Sequence, residues 1–181
     1  MKKRTVWLIV ATAVLLVVTV GITLALLISS SDPVVNTFTV GDVGITLNET
    51  TGSEYKMAPG IEILKDPTIT VKAKSEACYL YVKLEKSSNF NGFCSFEMAE
   101  GWNFLPQNEG VYYRRVEKSV VDKKIKVIKN DRIYVNDALT EDDFNAIIEN
   151  PTLKITAYAI QSEGMVSEQD AWRVLNERKE E

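Results

Sequence analysis

Apolar and polar positions divide the chain into two unequal parts. An uncharged, apolar stretch of 23 residues runs from Val6 to Ile28, and short alternating segments follow it. As a helix rising about 1.5 Å per residue, the stretch reaches roughly 34 Å, enough for a hydrocarbon core of about 30 Å. Lys2, Lys3 and Arg4 precede it. Basic flanks favour the cytoplasmic side, so the pattern predicts export of everything that follows. Residues 1–28 read as an N-terminal apolar helix, either a signal peptide or a membrane anchor. Thr23 and Ala25 place small side chains at −3 and −1 of a cut before Leu26, and Ser29-Ser30-Ser31 offers a second cut. The apolar run continues through Leu26, Leu27 and Ile28, which favours retention and membrane contact through residues 6–28. A secreted protein and a membrane-anchored surface protein both fit.

Residues 29–36 read as a linker containing Asp32-Pro33, and residues 37–176 as one domain. Phe38, Val40, Val43, Ile45 and Leu47 mark a strand, with Gly41-Asp42 shifting its register as a bulge would. Ala58-Pro59-Gly60 reads as a turn, and Lys65-Asp66-Pro67 as the start of a strand with Ile69, Val71 and Ala73 on one face. In Cys78–Leu84, Cys78, Leu80, Val82 and Leu84 share a face, opposite Tyr79, Tyr81, Lys83 and Glu85. Phe90–Trp102 suggests a further strand and a loop, and Gly110–Val116 a strand carrying Tyr112 and Tyr113. Lys124–Ile128 and Arg132–Val135 read as a hairpin turning at Lys129-Asn130-Asp131.

Thr140 caps a helix whose first turn is acidic (Glu141, Asp142, Asp143) and which Asn150-Pro151 ends. Leu153–Ile160 returns to strand, with Leu153, Ile155, Ala157 and Ala159 inward. Ser167 caps a last helix through Ala171, Trp172 and Leu175, and residues 177–181 read as a frayed tail. About eight strands and two short helices predict a mostly β domain, a jelly-roll-type β-sandwich. Such a fold has edge strands that accept a strand from a neighbour, and Val34–Val40 is a candidate donor.

Charge narrows the partners. Without Lys2, Lys3 and Arg4 the chain keeps 18 basic against 25 acidic residues, a net −7. That balance argues against nucleic acid. Histidine is absent, which removes the usual zinc ligand and the usual neutral-pH general base. No cofactor motif and no nucleophile–base pair emerges, so the residues do not point to an enzyme. Cys78 and Cys94 permit a disulfide in an exported chain, or are two small buried side chains. Lys123, Lys124, Lys126, Lys129 and Arg132 suit a solvated hairpin face better than a polyanion site. Glu141-Asp142-Asp143 suits a helix start better than Ca²⁺, lacking EF-hand spacing. Tyr79, Tyr81, Tyr112 and Tyr113 read as cross-strand packing, with a carbohydrate platform as the alternative.

Asn36-Thr37-Phe38-Thr39-Val40-Gly41-Asp42-Val43 resembles the start of the mature domain in TasA/camelysin-like proteins of Gram-positive bacteria. Pro59-Gly60, Lys65–Val71, Cys78–Lys83, Ala157–Gln161 and Ala171-Trp172 follow in the family's order. The resemblance covers most of the chain from residue 21. It implies a jelly-roll fold, export through a SipW-type signal peptidase, and self-association or association with related matrix proteins in biofilm fibres. Gly21-Ile22-Thr23-Leu24-Ala25 fits the family's signal, whereas Leu26-Leu27-Ile28-Ser29 stands where an aromatic and an acidic residue are usual. The metallopeptidase activity ascribed to camelysin is not carried over, since no histidine is present. Two functions follow as expectations: an exported structural subunit of an extracellular matrix fibre, or a membrane-anchored or secreted monomeric binding module.

Overall fold

The computed structural model describes residues 36–52, 55–147 and 149–177. These form eleven strands, three helices and one 3₁₀ turn, so the chain is mostly β. The strands are β1 (Asn36–Val40), β2 (Ile45–Asn48), β3 (Glu62–Leu64), β4 (Thr68–Val71), β5 (Cys78–Lys86), β6 (Cys94–Ser95), β7 (Asn103–Phe104), β8 (Val111–Val116), β9 (Lys123–Lys126), β10 (Arg132–Val135) and β11 (Leu153–Gln161). The helices are α1 (Phe90–Phe93), α2 (Glu141–Asn145) and α3 (Glu168–Glu177). The predicted apolar helix of residues 1–28 and the 29–35 part of the linker lie outside the described residues. No helix among the described residues is long and apolar enough to cross a membrane.

Three sheets share one core. The largest has the order β1-β11-β5-β8-β7, and the other two are β3-β10-β6 and β2-β4-β9. The nine-residue strands β5 and β11 pair antiparallel along their whole length, from Cys78↔Gln161 to Lys86↔Leu153. Cys78, Leu80, Val82 and Leu84 of β5 meet Ile155, Ala157 and Ala159 of β11 in the main core. Ile45, Leu47, Ile69, Val71 and Ile125 of one small sheet join them, as do Ile63, Ile133 and Val135 of the other. Alternation along each strand selects these residues, and each fully buried Ile, Leu or Val stabilises by about 1.5–3 kcal/mol.

The opposite face of the large sheet is also buried. Tyr81, Leu105, Val111, Tyr158 and Ile160 form a second core with Ala171, Trp172 and Leu175 of α3. Trp172 lies 5.1 Å from Tyr81 and 5.3 Å from Tyr158 between ring centroids. Ser167 Oγ accepts the Asp170 amide at 3.1 Å and starts α3 as predicted. The helix runs through Glu177, whose carboxylate meets Arg173 at 2.7 Å, so the frayed tail does not begin there.

Several expected elements differ. Lys124–Ile128 and Arg132–Val135 do not form a hairpin: β9 pairs with β4, and β10 lies between β3 and β6. The turn is where expected, with Asn130 at φ 55° and Asp131 at φ 57°, but it carries the chain from one sheet to another. Ile125 faces Ile69 and Ile133 faces Ile63, so each strand takes the partner that completes its own apolar face. Gly41-Asp42 is not a bulge in one strand but a bend between β1 and β2, which belong to different sheets. Phe90–Trp102, expected as a strand and a loop, begins with the short helix α1, and its strand is only the two-residue β6. β3 fills a stretch that carried too few alternating positions to be read as a strand.

α2 stops at Asn145, short of Asn150-Pro151, although its start is as expected. Thr140 and Asp143 exchange a capping box there. One glycine is required by close approach. Gly110 O accepts the Leu84 amide at 2.8 Å, and a Cβ at Gly110 would collide with the Leu84 carbonyl oxygen.

Candidate functional site

The first described strand lies on the rim of the large sheet. β1 pairs with β11 alone in the sheet order, from Asn36↔Thr156 to Val40↔Ile160, and the pairing is parallel whereas the other strand pairs are antiparallel. Thr37 and Thr39 are exposed, and Val40 is half-buried against the second core. A threonine-rich edge suits a pleated surface facing water. β11 beneath it is of another character, because every residue from Ile155 to Ile160 is buried.

The bend after β1 is tightly held. Gly41 has φ +86°, and a Cβ there would come within 2.9 Å of Gln161. The Glu76 amide donates to Asp42 O at 3.0 Å, and the Gly44 amide to Ser75 Oγ at 3.1 Å. β1 is therefore a short edge strand, paired on one side only and joined by a fixed corner to a well-packed body. Chemically, the arrangement offers main-chain donors and acceptors along a sheet edge.

A buried polar cluster lies at the end of β2. Lys65 Nζ meets Glu49 Oε1 at 2.6 Å, with both side chains 7% exposed. The Tyr55 hydroxyl donates to the same oxygen at 2.7 Å. Burial pushes the Tyr55 phenol up, and Glu49 and Asp66 reinforce that through their charge. Asp66 accepts the Thr50 amide at 2.8 Å and the Thr51 hydroxyl at 3.0 Å. Burial acts to raise its carboxyl, but these bonds outweigh it and hold the group below the usual range. These bonds tie Glu49–Thr51 and Tyr55 to Lys65 and Asp66 at the head of β4. No alternation marks Lys65 as buried; Lys65-Asp66-Pro67 signals only the start of a strand.

The remaining candidates disperse. Thr23, Ala25 and Leu26 lie outside the described residues. Cys78 and Cys94 are both free and buried in the main core, Cys78 on β5 and Cys94 on β6 of a different sheet. Cys94 Sγ lies 3.9 Å from Met57 Sδ. Burial pushes the Cys78 thiol up to about 11 and raises that of Cys94. The basic stretch is split between two sheets, with Lys126 paired to Asp131, Lys129 to Glu97 and Arg132 to Glu62.

The tyrosines separate by face. Tyr81 and Tyr113 lie opposite one another in register on the α3 side, while Tyr112 lies opposite Val82 on the main-core side. Tyr81 is fully buried and its hydroxyl donates to Glu168 O at 2.6 Å, so the four rings present no common platform. Among the described residues no group of three potential metal ligands converges. Comparison of the chain with known protein families, with curated proteins and with solved structures finds no match.

Proposed function

We propose that this chain is an exported structural or surface protein, a subunit of an extracellular matrix or biofilm fibre that assembles by strand exchange, built on a jelly-roll-type β-sandwich. The observation that carries the reading is the contrast between β1 and β11. Release of β1 would leave the buried strand β11 as an unpaired edge, from Thr156 to Ile160. An apolar edge of this kind takes up another strand readily. The β1 segment of a second copy has the matching sequence. Export by the N-terminal apolar segment, followed by a cut before Leu26, frees that segment to leave its own sheet. The ordered resemblance to TasA/camelysin-like proteins supports the same reading. Sedimentation of the exported protein with and without residues 32–40 tests it. Polymer is expected only when the segment is present, and a strict monomer under all conditions defeats the proposal.

A further inference from the structure

The two ends of β5 differ in a way that strand exchange does not use. Val116, the last residue of β8, pairs with Cys78, so the loop after β8 sits at the Cys78 end. That loop exposes Val120 at 87% and Val121 at 63%. It is not slack: the Lys74 amide donates to Ser119 O at 2.8 Å, and the Ala73 amide to Asp122 Oδ1 at 2.7 Å. The segment from Lys118 to Lys124 carries three lysines and one acid around the two valines. Lys118 pairs with Glu76 and Lys123 Nζ donates to Glu117 O at 2.7 Å, both at exposed positions from which they can re-pair.

The other end of β5 leads through Ser87–Asn89 into α1 and β6. An open depression of about 430 Å³ lies there; Asn91, Ser95, Asn136 and Asp137 give it a polar wall, and Cys94, Tyr134 and Val135 its apolar part. Cys94 and Val135 are core residues that reach its surface, and Tyr134 is 41% exposed. Residues 136–151 follow directly and hold five acids, Asp137, Glu141, Asp142, Asp143 and Glu149, with no basic residue. Two contacts keep this segment at the same end: Asn89 Nδ2 donates to Glu149 O at 2.7 Å, and Phe144 packs on Phe93 at 5.9 Å between centroids. β5 spans roughly 27 Å at about 3.3 Å per residue, so one copy cannot bring its own tip to its own depression.

We propose that the Val120-Val121 tip of one copy seats in the depression floored by Cys94 and Val135 of a second copy, its lysines facing the acidic 136–151 segment. The two surfaces differ and lie at opposite ends of β5, so the contact is heterologous and adds copies head to tail, which extends a filament unless the rotation between copies closes a ring. The inference rests on the fibre reading for its biological role, while the contact is a separate interface from β1.

Photo-crosslinking in the full chain tests it. A benzophenone amino acid replaces Val120 in one tagged copy, which is co-expressed with a differently tagged copy lacking it. Adducts between the tags, on the peptides holding Asn91–Ser95 or Tyr134–Asp137, are expected. Adducts elsewhere, or none to the second copy, overturn the contact. Two further full-chain variants separate this contact from strand exchange. Val120→Asp with Val121→Asp is expected to weaken association at least about tenfold, by placing acid against acid. Phe38→Pro with Thr39→Pro instead breaks β1 pairing, because one of two adjacent amides must face β11. Polymer that survives the double aspartate but not the double proline overturns the tip contact and leaves strand exchange standing. The reverse pattern supports the tip contact and removes strand exchange.

Discussion

Both faces of β5 carry buried side chains, one along its length and the other around Tyr81, and they are covered by different means. Cys78, Leu80, Val82 and Leu84 meet strands of the two small sheets in an aliphatic core. Tyr79, Tyr81 and Tyr113 pack on the α3 side, and two hydroxyls reach the helix's first turn: Tyr81 donates to Glu168 O at 2.6 Å and Tyr113 to Glu168 Oε1 at 3.3 Å. An aliphatic face can be covered by any sheet of matching shape. A tyrosine face carries a polar tip that must also find a partner, and the start of α3 supplies it. Aromatic residues opposite an aliphatic face thus mark a second core as readily as a wet surface.

The largest test removes the cover. Trp172→Ala is expected to destabilise the fold by about 3–5 kcal/mol, on the scale of the about 2–5 kcal/mol for Leu80→Ala on the other face. Urea midpoints of the two variants, with the slope checked for constancy, measure both. A loss well under 1 kcal/mol for Trp172→Ala would show that α3 rests on the sheet without holding it. A smaller effect isolates the polar tip. Tyr81→Phe keeps the ring and leaves the Glu168 carbonyl without this donor, at an expected cost of about 1 kcal/mol. Equal stability of Tyr81→Phe and the parent chain would reduce the aromatic face to simple packing.

Alkaline pH sharpens the contrast further. Burial raises the Cys78 thiol on one face to about 11, and also raises the Tyr81 phenol on the other. Both folded pKa values lie above those of the unfolded chain, so the folded state favours the neutral groups. Their contribution is complete below the unfolded thiol value of about 8.5, and stability declines as the pH rises towards 11, with the phenols extending the decline upward. Urea midpoints at pH 7, 9 and 10.5 should fall in that order, and the fall up to pH 10.5 should shrink in Cys78→Ala more than in Tyr81→Phe. An unchanged pH dependence in Cys78→Ala would remove the thiol from the account.

The proposed site was legible only in part. Phe38 and Val40 mark β1 in the sequence, and Val34–Val40 reads there as a candidate donor strand. Its parallel seat on β11 could not be read, because pairing direction depends on where the bend at Gly41-Asp42 sends the chain. The Val120-Val121 tip carried no pattern of its own. Two valines between lysines look like strand residues until the loop that holds them is seen.

The alternation in Cys78–Leu84 and Leu153–Ile160 fixed the two long strands and their inward residues, since a period of two leaves one assignment for each face. Thr140 and Ser167 fixed two helix starts, because an oxygen acceptor meets amides that have no partner in the helix. The same local rules placed a turn at Lys129-Asn130-Asp131. They could not choose between a hairpin and a crossing, because both use that turn and differ only in which distant strand meets Ile125 and Ile133. Nor could they bury Tyr81 or Lys65. Those burials come from Trp172 and Glu49, which lie far from them along the chain and become neighbours only when the sheets assemble.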